Sequence, residues 1–371
     1  MIFNKYVKII SYNFIIFLIT ALLIEIIFGG WFKSNNLGAY FREHRMKKVP
    51  YEMNYQGKKY NYLYLRNYHG FIGEEIDPIN IKYVFIGGST ADERWKPKDL
   101  SIAEQLNKKF EKDLLGIKII NAGIEGQSTI GYIANFKFWF SKLKNFNPKY
   151  FIFYTGLNDF AREDFDTFDY SDGLAKLVAK NKKDYFLDYV KSKSIFYDLI
   201  RKIKHKNYTK KQKIFLDLDL QIKKYPQTNF SKQFFNDSNY NYLKFSEAYK
   251  NPNIENLLIK EKEFINFYLK NIDLLNNYSK NFGARAIFIN QTSAYGAHIQ
   301  KHLILNYALN RHCENKKYLC IDIASDFDGK QDYWYDGIHT TPKGSRIIAE
   351  KIYPELKDLI YKNEKIENSL K

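Results

Sequence analysis

The apolar residues of this chain fall into one long run, several short runs and a set of helically spaced stripes. The long run covers residues 9–28, about one bilayer thickness as a helix. Lys5 and Lys8 precede it, and Trp31 follows at the far interface. Ser11-Tyr12-Asn13 delays the strongly apolar part to Phe14. Glu25 lies within a turn of the end, where an acid costs least. No small-x-small cleavage pattern follows the run, so a single-pass anchor (residues 1–32) is expected ahead of a cleaved signal peptide or a buried helix. Charge does not decide the orientation, because Lys33, Arg42, Arg45, Lys47 and Lys48 follow the span.

The short runs read as buried strands: Lys82 to Ile86, Ile117 to Asn121, Tyr150 to Tyr154, Ala284 to Asn290 and Tyr318 to Ile323. Helical stripes separate them. Ser101 to Lys112 places Ile102, Leu106 and Phe110 on one face, with Ser101 as N-cap and Glu104 three residues on. Ile130 to Phe146 reads as an aromatic-rich helix, and a further helix is expected over 298–312. Thr341 caps a last helix that opens on Pro342 and carries Ile347, Ile348, Ile352 and Leu356. Strand and helix in alternation predict an α/β fold: a three-layer α/β/α sandwich around a mostly parallel five-stranded sheet. The core of that sandwich would comprise 81–160 and 281–360. Residues 33–80 read as a polar connecting region punctuated by Gly57, Gly70 and Gly73. Residues 161–280, rich in Lys, Asn, Tyr and Asp, read as a largely helical insertion (Leu174, Leu177, Val178; Leu257, Phe264, Phe267, Tyr268) with loops around 205–255. It is too long for a plain connection; it either roofs a site and selects substrate or is a solvated elaboration. Residues 361–371 read as a disordered tail.

Ligands in such sheets bind beyond the carboxyl ends of the strands. Three short motifs fall there: Gly87-Gly88-Ser89-Thr90, Asn121 to Gly126, and Gly156-Leu157-Asn158-Asp159. A fourth, Asp336-Gly337-Ile338-His339, precedes the last helix. A serine hydroxyl is a weak nucleophile until a base takes its proton. Ser89 sits at a strand-to-helix turn that would expose its oxygen. Asp-x-x-His on a tight loop lets the carboxylate fix one imidazole nitrogen and turns the other toward the serine. Gly126 presents a backbone N–H with no side chain in the way, and Asn158 can donate its amide. With the Ser89 N–H, they form three donors for an oxyanion. Taken singly, each motif has an ordinary explanation: a turn asparagine, an incidental Asp-x-x-His, or a glycine turn. A phosphate loop is disfavoured because its Lys-Ser/Thr ending is missing.

Composition changes the picture little. The chain has 371 residues, 45% of them hydrophobic, and a net charge of +17. The excess is mostly Lys scattered among Asn, Tyr, Ile and Phe. Without a recognised binding motif this points away from nucleic acid, while attraction to an anionic envelope stays open. The two cysteines, Cys313 and Cys320, bracket a polar loop. They are read as buried thiols or, outside the cytosol, as a local disulfide. His298 and His302, spaced i, i+4, have no further ligand cluster. They read as a surface helix and not a metal site. Asp159 is expected to brace the turn that holds Asn158, and Glu125 to lie beside the oxyanion loop.

Four blocks in this order resemble the SGNH/GDSL hydrolase superfamily, over about 71–358 with the insertion interrupting. Ser89, Gly126, Asn158 and His339 match the four blocks, and Asp336 takes the place of the triad acid. The stretch Asn67-Tyr-His-Gly-Phe-Ile-Gly-Glu-Glu75 is similar to the lead-in of membrane-anchored bacterial members, whose anchors also carry a Glu near the end. The first block reads Gly-Gly-Ser-Thr where the family has Gly-Asp-Ser-Leu, which bears on subfamily and not on mechanism. The resemblance implies a flavodoxin-like fold and catalytic Ser89, Asp336 and His339. It also implies an oxyanion hole of Ser89, Gly126 and Asn158, and no cofactor or metal. The expected activity is a serine esterase acting on O-acyl carbohydrate, with O-acetyl among the candidate groups. An acyltransferase with the same triad and a non-catalytic glycan-binding protein are the alternatives. The catalytic domain is expected outside the cytosol.

Overall fold

The computed structural model describes residues 2–32, 44–160, 182–200, 203, 213–224 and 240–369. In chain order the strands are β1 (Lys47–Tyr55), β2 (Lys58–Arg66), β3 (Tyr83–Gly87), β4 (Ile119–Asn121), β5 (Tyr150–Thr155), β6 (Ile214–Asp217), β7 (Arg285–Asn290) and β8 (Leu319–Ile321). The helices used below are α1 (Ile2–Phe28), α2 (Ser89–Asp92), α3 (Ile102–Lys112), α4 (Thr129–Phe138), α5 (Leu157–Phe160), α6 (Lys182–Lys193), α7 (Lys262–Asn281), α8 (Gln300–Lys316) and α9 (Pro342–Ser369).

The main sheet has the order β4-β3-β5-β7-β8, with every pair parallel. Its strands are buried on both faces, so each reads as a continuous apolar run. Alternate residues nevertheless serve different layers. Val84, Ile86, Phe151, Phe153 and Phe288 pack with α4, α7 and α8 on one side. Tyr83, Phe85, Ile152, Ile287 and Ile289 pack with α3 and α9 on the other. The result is the expected three-layer α/β/α sandwich. The chain steps from β3 outward to β4 and then back across to β5. The strand order therefore reverses beside β3, the position where such sheets place their ligands.

Several elements differ from the sequence reading. Residues 33–80 hold a hairpin and not a plain connection. β1 and β2 pair antiparallel around the two-residue turn Gln56-Gly57, both at positive φ, which suits the twist of a tight hairpin. The Asp219 carboxylate accepts from both turn N–H groups, at 2.7 and 3.0 Å. β6, from within the expected helical insertion, pairs parallel with β1 and completes a second sheet, β2-β1-β6. α7 also lies in the stretch read as insertion, yet it is a core helix of the sandwich, burying Phe264, Tyr268, Ile272 and Leu275. The Leu174–Val178 pattern and most of 205–239 lie outside the described residues. The helix expected to reach Phe146 ends at Phe138: Trp139 turns inward, fully buried, and donates its indole N–H to His69 O at 2.7 Å. The tail expected to be disordered continues α9 to Ser369. His302 is not on a surface helix. It is fully buried against Phe160 and Phe245, and that burial pushes its pKa down to about 3 and keeps it neutral. Cys313 and Cys320 form a disulfide between α8 and β8.

The N-terminal helix has a stretch, Tyr6–Phe28, long and apolar enough to cross a membrane, a property a signal sequence shares. Its Glu25 is not left alone. The carboxylate accepts from the Trp31 indole at 3.2 Å and from the backbone N–H of Ile195 at 3.2 Å.

Phe153 sits at the centre of the sheet, stacked on Tyr132 and Phe288 with no exposed surface. Phe153→Ala is expected to cost about 3–5 kcal/mol, read as a lower denaturation midpoint of the full chain in detergent.

Candidate active site

Each predicted site residue lies just past a strand of the main sheet or just before α9. Ser89 opens α2 immediately beyond β3. Gly88, at its N-cap, is required by space: a Cβ there would lie 2.0 Å from Asn158 Nδ2. Gly126 follows β4 with φ +75°, a conformation that favours glycine. Asn158 sits in α5 directly after β5 and donates its amide to Gln127 O at 2.7 Å, which locks the third motif onto the second. A side-chain amide has two hydrogens, so a second remains for a ligand. Among the described residues, no backbone hydrogen bond uses the N–H of Ser89 or of Gly126.

Asp336 and His339 share one tight loop. The Asp336 carboxylate accepts from the N–H of Ile338 (2.9 Å) and of His339 (2.7 Å) and meets His339 Nδ1 at 2.7 Å. His339 Nε2 lies 2.8 Å from Ser89 Oγ, across 250 residues of sequence. Burial works against the Asp336 charge, but the bonds from the imidazole and the two N–H groups outweigh it and hold its carboxyl below the ordinary carboxylate range. The Tyr335 ring stacks on the imidazole at 5.7 Å and 11°. A hydroxyl, an imidazole and a carboxylate in line, with three N–H groups nearby, can accept and return one proton while a carbonyl is attacked.

The family profile described as GDSL-like Lipase/Acylhydrolase matches residues 83–352. The chain belongs to that family. It is an acylhydrolase, an enzyme of ester bonds. Among solved structures it is similar to TesA (11% identity, 75% of this chain and 99% of that one covered, TM-score 0.41). It is also similar to the psychrotrophic esterase EstA from Pseudoalteromonas sp. (12%, 76% and 100%, 0.40) and to Axe2, an acetylxylan esterase from Geobacillus stearothermophilus (12%, 74% and 94%, 0.40). No curated protein gives a significant match.

Three polar groups that sequence reasoning missed hold the acylhydrolase's site together. Lys96 Nζ, buried, has four oxygens within hydrogen-bond reach of its three hydrogens: Glu93 Oε1 (2.8 Å), Thr340 Oγ1 (2.9 Å), Ser345 Oγ (2.6 Å) and the Thr340 carbonyl. It thereby fastens the turn after Ser89 to the residue after His339. Burial lowers the Lys96 pKa, and Glu93 opposes that shift. Gln291, just past β7, accepts from Leu157 N at 2.8 Å and donates to Thr90 Oγ1 at 2.7 Å, bridging the neighbours of Asn158 and Ser89. Arg66, from β2, reaches Asp92 Oδ2 (3.3 Å) and Gly123 O (2.8 Å), joining the first block to the second. Lone Lys, Gln and Arg residues carry no motif; only the strand-end position of Gln291 could have marked it. Asp159 accepts from the N–H and hydroxyl of Thr129, bracing the α4 start against α5. Glu125 is ion-paired with Arg94.

Two outcomes follow. Lys96→Met leaves Glu93 buried without its cation, at a cost of about 3–5 kcal/mol, and adding Glu93→Gln recovers part of it in denaturant titrations. Asp336 has a folded pKa below the unfolded value of about 3.9. Its contribution is therefore present above that pH and is lost as pH falls through the lower folded value. Plotted against pH, the stability of Asp336→Asn should fall less on the acid side than that of the parent.

Proposed function

We propose that this chain is a membrane-anchored serine esterase that removes O-acyl groups from carbohydrate outside the cytosol. The observation that carries the reading is the position of His339, within hydrogen-bond reach of both Ser89 Oγ and Asp336 Oδ2. Ser89 Oγ attacks the ester carbonyl while its proton passes to His339 Nε2. The carbonyl oxygen becomes an oxyanion facing the Ser89 and Gly126 N–H groups and the Asn158 amide. Collapse expels the sugar oxygen, which takes the proton from His339 and leaves acyl-Ser89. Water, deprotonated by the same imidazole, then releases the carboxylic acid. Asp336 keeps Nδ1 protonated and stabilises the imidazolium.

The disulfide between Cys313 and Cys320 supports a site outside the cytosol, since such bonds persist in oxidising compartments. The apolar N-terminal helix supports anchoring, which would hold the site at a membrane surface within reach of envelope glycans.

Ser89→Ala is expected to lower kcat by roughly 10⁶, and Asn158→Ala by about 10²–10³ with little change in KM, measured on acylated sugars. A fluorophosphonate should label Ser89 in the parent and nothing in Ser89→Ala. An unlabelled, correctly folded parent sinks the catalytic reading. Release of free acid should be unchanged when a glycan acceptor is added; acid replaced by acylated acceptor would make the enzyme a transferase.

A further inference from the structure

A second helical stretch, residues 195–200, starts where the N-terminal helix ends. Its first turn is capped twice. Glu25 of α1 accepts from the N–H of Ile195 and of Phe196, and Ser194 Oγ accepts from Tyr197 N at 3.2 Å. Gly30 N donates to Lys193 O at 2.7 Å, and Trp31 meets Tyr189 edge-on at 6.4 Å. The end of α1 and the α6–195 junction are thus tied together by hydrogen bonds and a ring contact.

Phe196, Leu199, Ile200 and Ile203 follow i, i+3, i+4, i+7 spacing, the pattern of a helix face that should be covered. Instead they are 38%, 52%, 62% and 53% exposed, and Phe186 in the adjoining α6 is 66% exposed. Residues 182–204 carry seven Lys or Arg against three Asp. An apolar stripe with a basic surround is the composition of a helix lying in the headgroup region of an anionic bilayer. Its attachment to the interfacial end of α1 puts it at that depth.

We infer that residues 182–200, together with Ile203, form a second, in-plane membrane contact, seated in the headgroup layer beside the anchor and selecting anionic lipid. This rests on reading α1 as a membrane-spanning helix. The native cysteines are paired with each other, so a single introduced cysteine can be spin-labelled alone. The full chain carries the label at Leu199→Cys, Ile203→Cys, Leu18→Cys within α1, or Leu114→Cys, which is 90% exposed in the turn after α3. Each form is reconstituted in vesicles of phosphatidylethanolamine and phosphatidylglycerol. Collision with oxygen is compared with collision with a water-soluble nickel chelate.

Labels at 199 and 203 should favour oxygen several-fold over the label at 114, and lose part of that preference when phosphatidylcholine replaces phosphatidylglycerol. Aqueous values at 199 and 203 with a deep value at 18 overturn the inference and leave the anchor standing. An aqueous value at 18 overturns the anchor itself. Shielding at 199 and 203 from both reagents means a second protein copy covers the stripe, which also overturns the inference.

Discussion

One buried ammonium decides whether this enzyme has a site. Ser89 and His339 are carried by opposite ends of the domain, and nothing in their own loops obliges them to meet. Lys96 Nζ supplies the obligation, because it is held at once by Glu93, four residues past the serine, and by Thr340, one residue past the histidine. Taking that charge out of water is costly, and only a complete set of acceptors offsets the cost. The set is complete only when the last motif is seated over the first. A buried ion pair of this kind adds little net stability compared with apolar packing, but it penalises any arrangement in which its members part. The imidazole and hydroxyl that stand 2.8 Å apart belong to the two loops this clasp joins.

The same logic recurs around the site with an amide and a guanidinium. Gln291 satisfies Leu157 and Thr90 together, so the β7 end fixes the spacing of the α2 and α5 turns. Arg66 does so for the first two blocks from the second sheet, with one guanidinium nitrogen on both the Asp92 carboxylate and the Gly123 carbonyl. Each of these polar groups is buried and would be costly if unpaired. The loops at the strand ends are irregular in backbone. Their placement is set by these side-chain partners.

What could be read from the sequence follows from range. The five strands of the sandwich were legible because a strand buried on both faces writes itself as an uninterrupted apolar run. The blocks around Ser89, Gly126, Asn158 and His339 were legible because each is local, the first three following strands and the last preceding the final helix. The caps at Ser101 and Thr341 are four-residue patterns, and both form. The hairpin β1–β2 was missed although Gln56-Gly57 lies between two alternating segments. Its buried face is made of Tyr51, Met53, Tyr55 and Tyr64, which look polar or mixed in a list of residues, and its third strand arrives from more than 150 positions away. α7 was assigned to the insertion because composition, not periodicity, drew the boundary. His302 was misjudged for the same reason: an imidazole reads as surface unless its aromatic partners, Phe160 and Phe245, are known to close over it.

The second sheet also changes how the site should be regarded. Tyr335 precedes the acid Asp336, stacks on the imidazole, and packs with Met53, Tyr55 and Leu218 from the β1–β6 region. Tyr62 of β2 donates to Arg94 O, in the turn beyond Ser89. The hairpin therefore touches both the turn after Ser89 and the loop that carries His339, from outside the sandwich. A ring pressed face-on against an imidazole limits its rotation about χ2, while the Asp336 carboxylate fixes which nitrogen faces inward. The two restraints act on different motions, so neither substitutes for the other. The β1–β2 hairpin, N-terminal to the sandwich, is thus part of the framework that positions the loops of Ser89 and His339.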